Sequence, residues 1–125
     1  MVKENYEEHI DELLKTEGTD FALRYGLKRG QAFTEEEILE KIQSDYLIDK
    51  YVAFGAIQKR KMGKALPLLK YMALYNEDVD IQEEAIKTIR KIGGGKALDI
   101  LRFLKTTEHK DFVEHILSPK ADLDD

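Results

Sequence analysis

An internal repeat constrains this chain more than any other feature of its sequence. Residues 63–66 read Gly-Lys-Ala-Leu, and residues 95–98 read the same four letters, which sets a period of 32. The same offset aligns three further pairs of identical apolar residues: Ala53 with Ala85, Ile57 with Ile89, and Leu69 with Leu101. Periods of roughly 20 to 50 residues are typical of proteins that stack helical units side by side. We therefore expect two repeat units, at about 45–76 and 77–108.

Each unit is expected to contain two helices. In the second unit, Asp78 or Asp80 is suited to begin a helix, because its carboxylate accepts hydrogen bonds from free backbone amides. The first helix then has an apolar face formed by Ile81, Ala85, Ile89 and Ile92. Residues 93–95 are all glycine and end this helix, since glycine readily adopts a left-handed conformation. A second helix begins near Lys96, with an apolar stripe of Ala97, Ile100, Leu101 and Leu104.

The first unit follows the same plan less regularly. A helix is predicted from about Asp45 to Lys61, with Tyr46, Ala53, Phe54 and Ile57 directed inward. Gly63 interrupts it, and the next helix begins near Lys64. Pro67 falls in the first turn of that helix, where a missing amide hydrogen does little harm. Its predicted core residues are Leu66, Leu69, Met72 and Ala73.

Helical caps are expected at both ends of a single domain spanning 1–118. The N-terminal third predicts helices at about 5–15 and 21–28, and residues 34–37 form a capping box before a third apolar segment. A short helix is expected from Asp111 to Leu117, with Phe112, Ile116 and Leu117 as its apolar residues. Residues 119–125 are polar and are expected to be a disordered tail.

The composition narrows the functional class. The chain has no cysteine, which excludes disulfides, thiolate metal sites and a cysteine nucleophile. Charged residues follow Met1 at once, so no signal peptide is expected. No apolar stretch approaches about 18 residues, so we expect neither a membrane span nor a membrane partner. These features predict a cytoplasmic protein.

The second unit carries a recognisable motif. It has Asp78 at the turn, an aliphatic residue at 81, Ala85 four places later, Gly93 after the first helix and Ala97-Leu98 at the start of the second. This pattern resembles the short HEAT-like repeats first described in phycobilin lyases. Gln82 stands where that family often has an arginine serving the ladder between repeats. In the earlier unit Lys50 takes this place, and Asp49 replaces the aliphatic residue.

The resemblance implies an all-α fold, namely a right-handed HEAT-like helical-repeat solenoid (an α-α superhelix) of about six to eight helices. Proteins with such repeats are mostly binding scaffolds, and a minority assist chromophore attachment. We accordingly expect a non-enzymatic protein-protein interaction scaffold or regulatory module. Two alternatives stay open: a nucleic-acid-associated HEAT-like protein and a phycobilin-lyase-like chaperone.

Catalytic and metal-binding patterns are missing from the sequence. The three histidines His9, His109 and His115 include no pair at the spacing of helical metal ligands, so they are interpreted as surface or helix-end residues. The Gly-Gly-Gly-Lys run at 93–96 follows a helix and lacks the Ser or Thr of a phosphate-binding loop. Asp78 and Asp80 are explained by helix capping. Neither an enzyme activity nor a cofactor is predicted.

The basic residues are the most informative polar feature. Residues 1–49 carry a net charge of −7, residues 50–110 of +6 and residues 111–125 of −4. Two clusters lie about one period apart: Lys59, Arg60, Lys61 and Lys64, and then Arg90, Lys91 and Lys96. Stacked repeats would align them into a basic ridge. The ridge is interpreted either as solubilising charge at helix ends or as a contact for an acidic protein or for phosphates.

The second helix of each unit is expected to line a concave inner surface. Equivalent positions there are Lys70 and Arg102, Pro67 and Asp99, and Leu74 and Thr106. The aromatic rings of Tyr71 and Phe103 flank them, where they either pack between repeats or contact a partner. Lys70 and Arg102 therefore join the candidate partner-binding residues, and the expected partner is a protein.

Overall fold

The computed structural model of the chain describes residues 18–117, and every regular element in this range is a helix. The seven α-helices in this range are α1 (Gly18–Arg29), α2 (Glu35–Ile42), α3 (Leu47–Arg60), α4 (Leu66–Tyr75), α5 (Val79–Ile92), α6 (Gly94–Leu104) and α7 (Lys110–Leu117). Short 3₁₀ helices occur at Gly30–Ala32 and Gly63–Ala65. The predicted all-α class is confirmed.

The helices form two compact units. The first ends at Arg60 and contains α1 to α3, and the second begins at Lys61 and contains α4 to α7. The proposed repeat units at 45–76 and 77–108 stay a prediction. The predicted helix over 5–15, His9 and the predicted tail over 119–125 lie outside the described residues.

In the first unit, α1 and α3 pack at backbone contact. A Cβ atom at Gly26 would lie 2.1 Å from the carbonyl oxygen of Val52, and one at Gly55 would lie 2.2 Å from that of Leu23. No side chain fits in such a gap, so glycine is required on both helices. This close crossing is absent from the sequence prediction, which placed only a short helix at 21–28.

Helix α2 begins with the predicted capping box. The Glu37 amide donates to Oγ1 of Thr34 at 3.1 Å, and the Thr34 amide donates to Oε1 of Glu37 at 2.8 Å. These two bonds satisfy backbone donors that the first helical turn leaves without partners. The helix buries Ile38 and Ile42 against α3, which fixes α2 in the first unit.

Helix α3 is buried on nearly all sides. Residues 51–58 are all buried, and Ala53, Phe54 and Ile57 are fully so, as predicted. Tyr46 was predicted to face inward, and this is wrong: it precedes α3 and is 74% exposed. Its amide donates to the Ser44 hydroxyl oxygen in the turn, so the chain has not yet entered the helix there.

The second unit is organised around α5. Helix α4 packs on α5 through Leu69 and its apolar neighbours, and α5 also contacts α6 and α7. All four predicted core residues of α4 are confirmed, namely Leu66, Leu69, Met72 and Ala73. Asp78 caps α5 by accepting from the Asp80 amide at 2.9 Å. On the predicted inner face of α5, Ile81, Ala85 and Ile89 are buried, while Ile92 is half-buried.

The glycine run ends α5 and begins α6. Gly93 and Gly94 have φ angles of +71° and +89°, a region that favours glycine. On α6, the predicted residues Ala97, Leu101 and Leu104 are buried. On α7 the prediction was partly wrong, because Val113 and Ile116 are buried while Leu117 is 37% exposed.

Two turns repeat their hydrogen bonds at the offset of the sequence repeat. Before α3, the Tyr46 amide donates to Oγ of Ser44 at 3.1 Å, and before α5 the Asp78 amide donates to Oδ1 of Asn76 at 2.9 Å. The helices that follow, Leu47–Arg60 and Val79–Ile92, are both 14 residues long and begin one repeat period apart. The two segments thus share turn chemistry as well as sequence.

Positions 50 and 82, one repeat period apart, each donate a side-chain hydrogen bond to a backbone carbonyl, at acceptors that are not one period apart. The Lys50 ammonium donates to the carbonyl oxygen of Ile42 at 3.1 Å, and Nε2 of Gln82 donates to the carbonyl oxygen of Asn76 at 2.8 Å. Both acceptors lie at or just past the end of the preceding α-helix. Gln82 therefore makes a stabilising contact although it is not an arginine.

Candidate interaction surface

The arginine of the first basic cluster is used to hold the fold. Nη1 of Arg60 donates to the carbonyl oxygens of Phe33 at 2.6 Å and Gly30 at 3.4 Å. The guanidinium therefore fixes the segment that joins α1 to α2, and Arg60 is half-buried. Lys59, one residue earlier, is exposed at the end of α3. Spacing alone did not reveal this structural role of Arg60.

In the second unit, the structure brings members of the two basic clusters together. The Lys61 ammonium donates to the carbonyl oxygen of Lys91 at 3.2 Å, near the C-terminus of α5. A cation is favourable there, because the last carbonyls of a helix carry partial negative charge. Lys64 and Lys96, the corresponding lysines of the two Gly-Lys-Ala-Leu segments, are both exposed.

Arg90 resembles Arg60 in its role. Its Nε donates to the carbonyl oxygen of Ile116 at 2.7 Å, which ties the end of α5 to the end of α7. The bond satisfies a carbonyl that the last turn of α7 leaves without a helical partner. Among the predicted partner-binding residues, the two half-buried arginines at 60 and 90 are therefore structural, and the exposed lysines are better placed to meet a partner.

The predicted inner surface of α4 and α6 presents exposed aromatic rings. We call Lys70, Tyr71, Tyr75, Arg102 and Phe103 the aromatic face. The Lys70 ammonium on α4 lies 4.8 Å from the centre of the Phe103 ring on α6. The rings of Tyr71 and Tyr75 lie 5.0 Å apart on α4.

The exposure of these rings is the notable property. Tyr71 is 64% exposed, Tyr75 is 66% exposed and Phe103 is 46% exposed. The sequence left two interpretations of Tyr71 and Phe103, packing within the array or contact with a partner; both rings are exposed, and Phe103 also lies against Lys70 of α4. Arg102 is exposed beside Asp99, with 3.6 Å between their charged atoms. A surface pair of this kind stabilises a fold little, so its charges can rearrange on binding.

A groove of about 470 Å³ lies elsewhere in the second unit. We call it the glycine groove, and its lining residues are Arg90, Gly93, Gly94, Gly95, Ala97, Leu98, Leu101 and Leu117. Leu98 is 39% exposed and Leu117 is 37% exposed, so the groove offers accessible apolar surface. Sequence reasoning did not identify this groove, because Leu117 comes from α7, a separate helix further along the chain.

The lining of the glycine groove contains one cation, Arg90, and no acid. Residues 85–107 contain six Lys or Arg residues and one acid, Asp99. Lys96 lies beside the groove in sequence and is exposed. The acid nearest in sequence on α7 is Glu114, three residues before Leu117. The charge balance of this region therefore favours an acidic ligand.

The histidines of the described chain have local roles. His109 is buried at the start of α7, where its carbonyl oxygen accepts from the Val113 amide at 2.9 Å. Its Nε2 lies 3.9 Å from a carboxylate oxygen of Glu108. Across residues 18–117, no three His, Cys, Asp or Glu side chains come together in a way that suits a metal ion.

Comparisons of this chain with family models, with curated proteins and with solved structures find no match. Within the part of the chain that the structure describes, no helix has both the length and the apolar character required to cross a membrane.

Proposed function

We propose that this protein is a non-enzymatic protein-interaction module built from HEAT-like repeats. The observation that carries the proposal is the aromatic face, in which three rings on α4 and α6 are exposed beside Lys70 and Arg102. Tyrosine, phenylalanine and arginine are enriched at protein interfaces, since their large surfaces gain most from burial. An isolated exposed ring is ordinary, but three beside two cations form a coherent patch.

The repeat part of the proposal is supported by the internal sequence period. Helices α3 and α5 have equal lengths at this offset, and the turns at Ser44 and Asn76 use the same hydrogen bond. Repeat proteins present side chains from successive helices as one binding surface. In this proposal α4 and α6 supply that surface.

A polypeptide partner fits the face better than a nucleic acid. Contact with phosphates accumulates several cations and gives a steep salt dependence. On the aromatic face the cations are Lys70, already over a ring, and Arg102, beside a carboxylate. Exposed lysines at 59, 64 and 96 keep a nucleic-acid partner as the alternative, and the experiment below separates the two.

A photo-crosslinking amino acid placed at position 71 tests the proposal directly. The matched control carries it at Lys87, which is exposed on α5 beside the Phe112 ring. Irradiation in native extract should give one dominant protein adduct at position 71 and little at position 87. The added substitution Phe103→Ala should weaken that adduct.

Two results would contradict the proposal. One is adduct formation that does not differ between positions 71 and 87. The other is an adduct that nuclease removes and that disappears steeply between low and moderate salt, because this behaviour identifies a nucleic-acid partner. A stable protein adduct that resists nuclease supports the proposal.

A further inference from the structure

We propose that the glycine groove is a second binding site, which takes an acidic segment of a partner polypeptide with one aliphatic side chain inserted between Leu98 and Leu117. This inference rests on the proposed interaction function but uses a surface other than the aromatic face. Three observations carry it: a bare backbone at Gly95, an accessible apolar floor, and a lining that contains the cation Arg90 and no acid.

Gly95 lines the groove and adds no side chain to it. Gly93 and Gly94 have positive φ angles, so the backbone accounts for them. Gly95 has no such angle, and a Cβ added there would meet no atom within 4 Å. Gly63, one repeat period earlier, shares both properties, so the open space at Gly95 matters because the groove lies there. A bare backbone at this position leaves room for another chain to approach closely.

The floor of the groove suits a single aliphatic side chain. Leu98 and Leu117 are each more than a third exposed, while Ala97 and Leu101, which also line the groove, are buried. A volume of about 470 Å³ lies within the usual size of ligand pockets. Burying these leucines against an aliphatic group removes apolar surface from water on both partners.

The charge around the groove selects an acidic segment. The groove lining contains the cation Arg90 and no acidic residue. Lys96 stands exposed next to Gly95, where it can pair with a carboxylate of the bound segment. Arg90 lines the groove, and its bond to the Ile116 carbonyl holds the guanidinium in place. Glu114, exposed three residues before Leu117 on α7, is the acid that opposes this preference.

The test uses a fluorescein-labelled synthetic peptide of alternating Asp and Leu, with a second peptide of alternating Asp and Ser as its control. Fluorescence anisotropy with the full chain should show saturable binding of the Leu peptide and at least tenfold weaker binding of the Ser peptide, a difference of about 1.4 kcal/mol. Equal binding of the two peptides, or no binding of the Leu peptide at millimolar concentration, overturns the proposal.

Position 95 supplies a matched pair of variants. Gly95→Trp projects a large side chain into the groove and should weaken binding at least tenfold, whereas Gly95→Ala should change it less than about twofold. If Gly95→Trp lowers the helical circular dichroism signal, Leu98→Asp takes its place as the groove variant, with the same expected loss. Unchanged binding in a folded groove variant overturns the proposal.

Further measurements distinguish this site from the aromatic face and distinguish an acidic peptide from other occupants. Tyr71→Ala with Phe103→Ala should leave peptide binding unchanged, so failure of the crosslinking experiment and failure of this one are distinguishable. Lys96→Glu should weaken binding about fivefold through charge reversal. Sedimentation that shows a dimer lost in Gly95→Trp would instead assign the groove to a second copy of this chain and overturn the acidic-peptide assignment.

Discussion

Helices α3 and α5 begin one repeat period apart and have the same length, but they differ in how they are buried. In α3 eight consecutive residues, 51–58, are buried. In α5 the buried residues follow an amphipathic pattern, and Lys87 is exposed at the place that corresponds to Gly55. An α-helix buried on all sides needs small residues wherever another backbone comes close.

The difference shows what an internal repeat specifies. Matching positions 53 and 85 are both alanine and both fully buried, so the repeat predicts where a helix faces its own core. Positions 55 and 87 do not match, because α1 crosses α3 at backbone distance through Gly55. The repeat therefore fixes the common inward face, and the neighbouring helix decides the remaining faces.

The largest expected effect comes from placing a charge on the inward face that α3 and α5 have in common. Ala85→Arg and its counterpart Ala53→Arg should each cost about 4 kcal/mol or more of unfolding free energy, because each buries a charge without a partner. Urea unfolding followed by circular dichroism measures this. Lys87→Arg is the control and should unfold like the parent chain. If Ala85→Arg has the stability of the parent chain, the assignment of the inward face is wrong.

A smaller effect is expected on the face of α3 that has no counterpart on α5, where α1 crosses at Gly55. A methyl group at Gly55 would lie 2.2 Å from the Leu23 carbonyl oxygen and 2.7 Å from the Leu27 amide nitrogen. Gly55→Ala should therefore destabilise the protein by about 2 kcal/mol, since overpacking outweighs the gain in helix propensity. At the corresponding position, Lys87→Ala should change stability by less than about 0.5 kcal/mol. Equal effects in thermal melts would refute the close crossing.

The smallest effect concerns the side-chain hydrogen bonds that positions 50 and 82 each donate to a backbone carbonyl. Gln82→Met removes the donor to the Asn76 carbonyl in a buried position and should cost about 1 kcal/mol. Lys50→Met should cost about half as much, because Lys50 is only half-buried and water can replace its bond to Ile42. Chemical denaturation of both variants checks the order. A larger loss at Lys50 would show that burial does not govern this contact.

Sequence-based prediction succeeded where the signals are local. The capping box at Thr34, the cap at Asp78 and the glycine break at Gly93 all depend on residues within one helical turn. Prediction failed at Tyr46 and at Leu117, which lie at helix ends, where a shift of one residue moves a side chain to another face.

The prediction of the candidate binding residues was also successful in part. The internal repeat led to Lys70 and Phe103, which the structure places in contact. It did not reveal that Arg60 and Arg90 are used on backbone carbonyls 27 and 26 residues away, at Phe33 and Ile116. The neighbouring sequence of an arginine in a basic run is the same whether its side chain binds a partner or donates to a backbone carbonyl of its own chain.

The sequence by itself determined the helices, their caps and the inward positions that recur at the repeat period, because helix periodicity and capping depend on near neighbours. Tertiary structure alone decided the glycine crossing of α1 and α3, the structural use of the two arginines and the groove at Gly95. Each of these depends on segments that are distant along the chain, and their meeting is set by packing of whole helices.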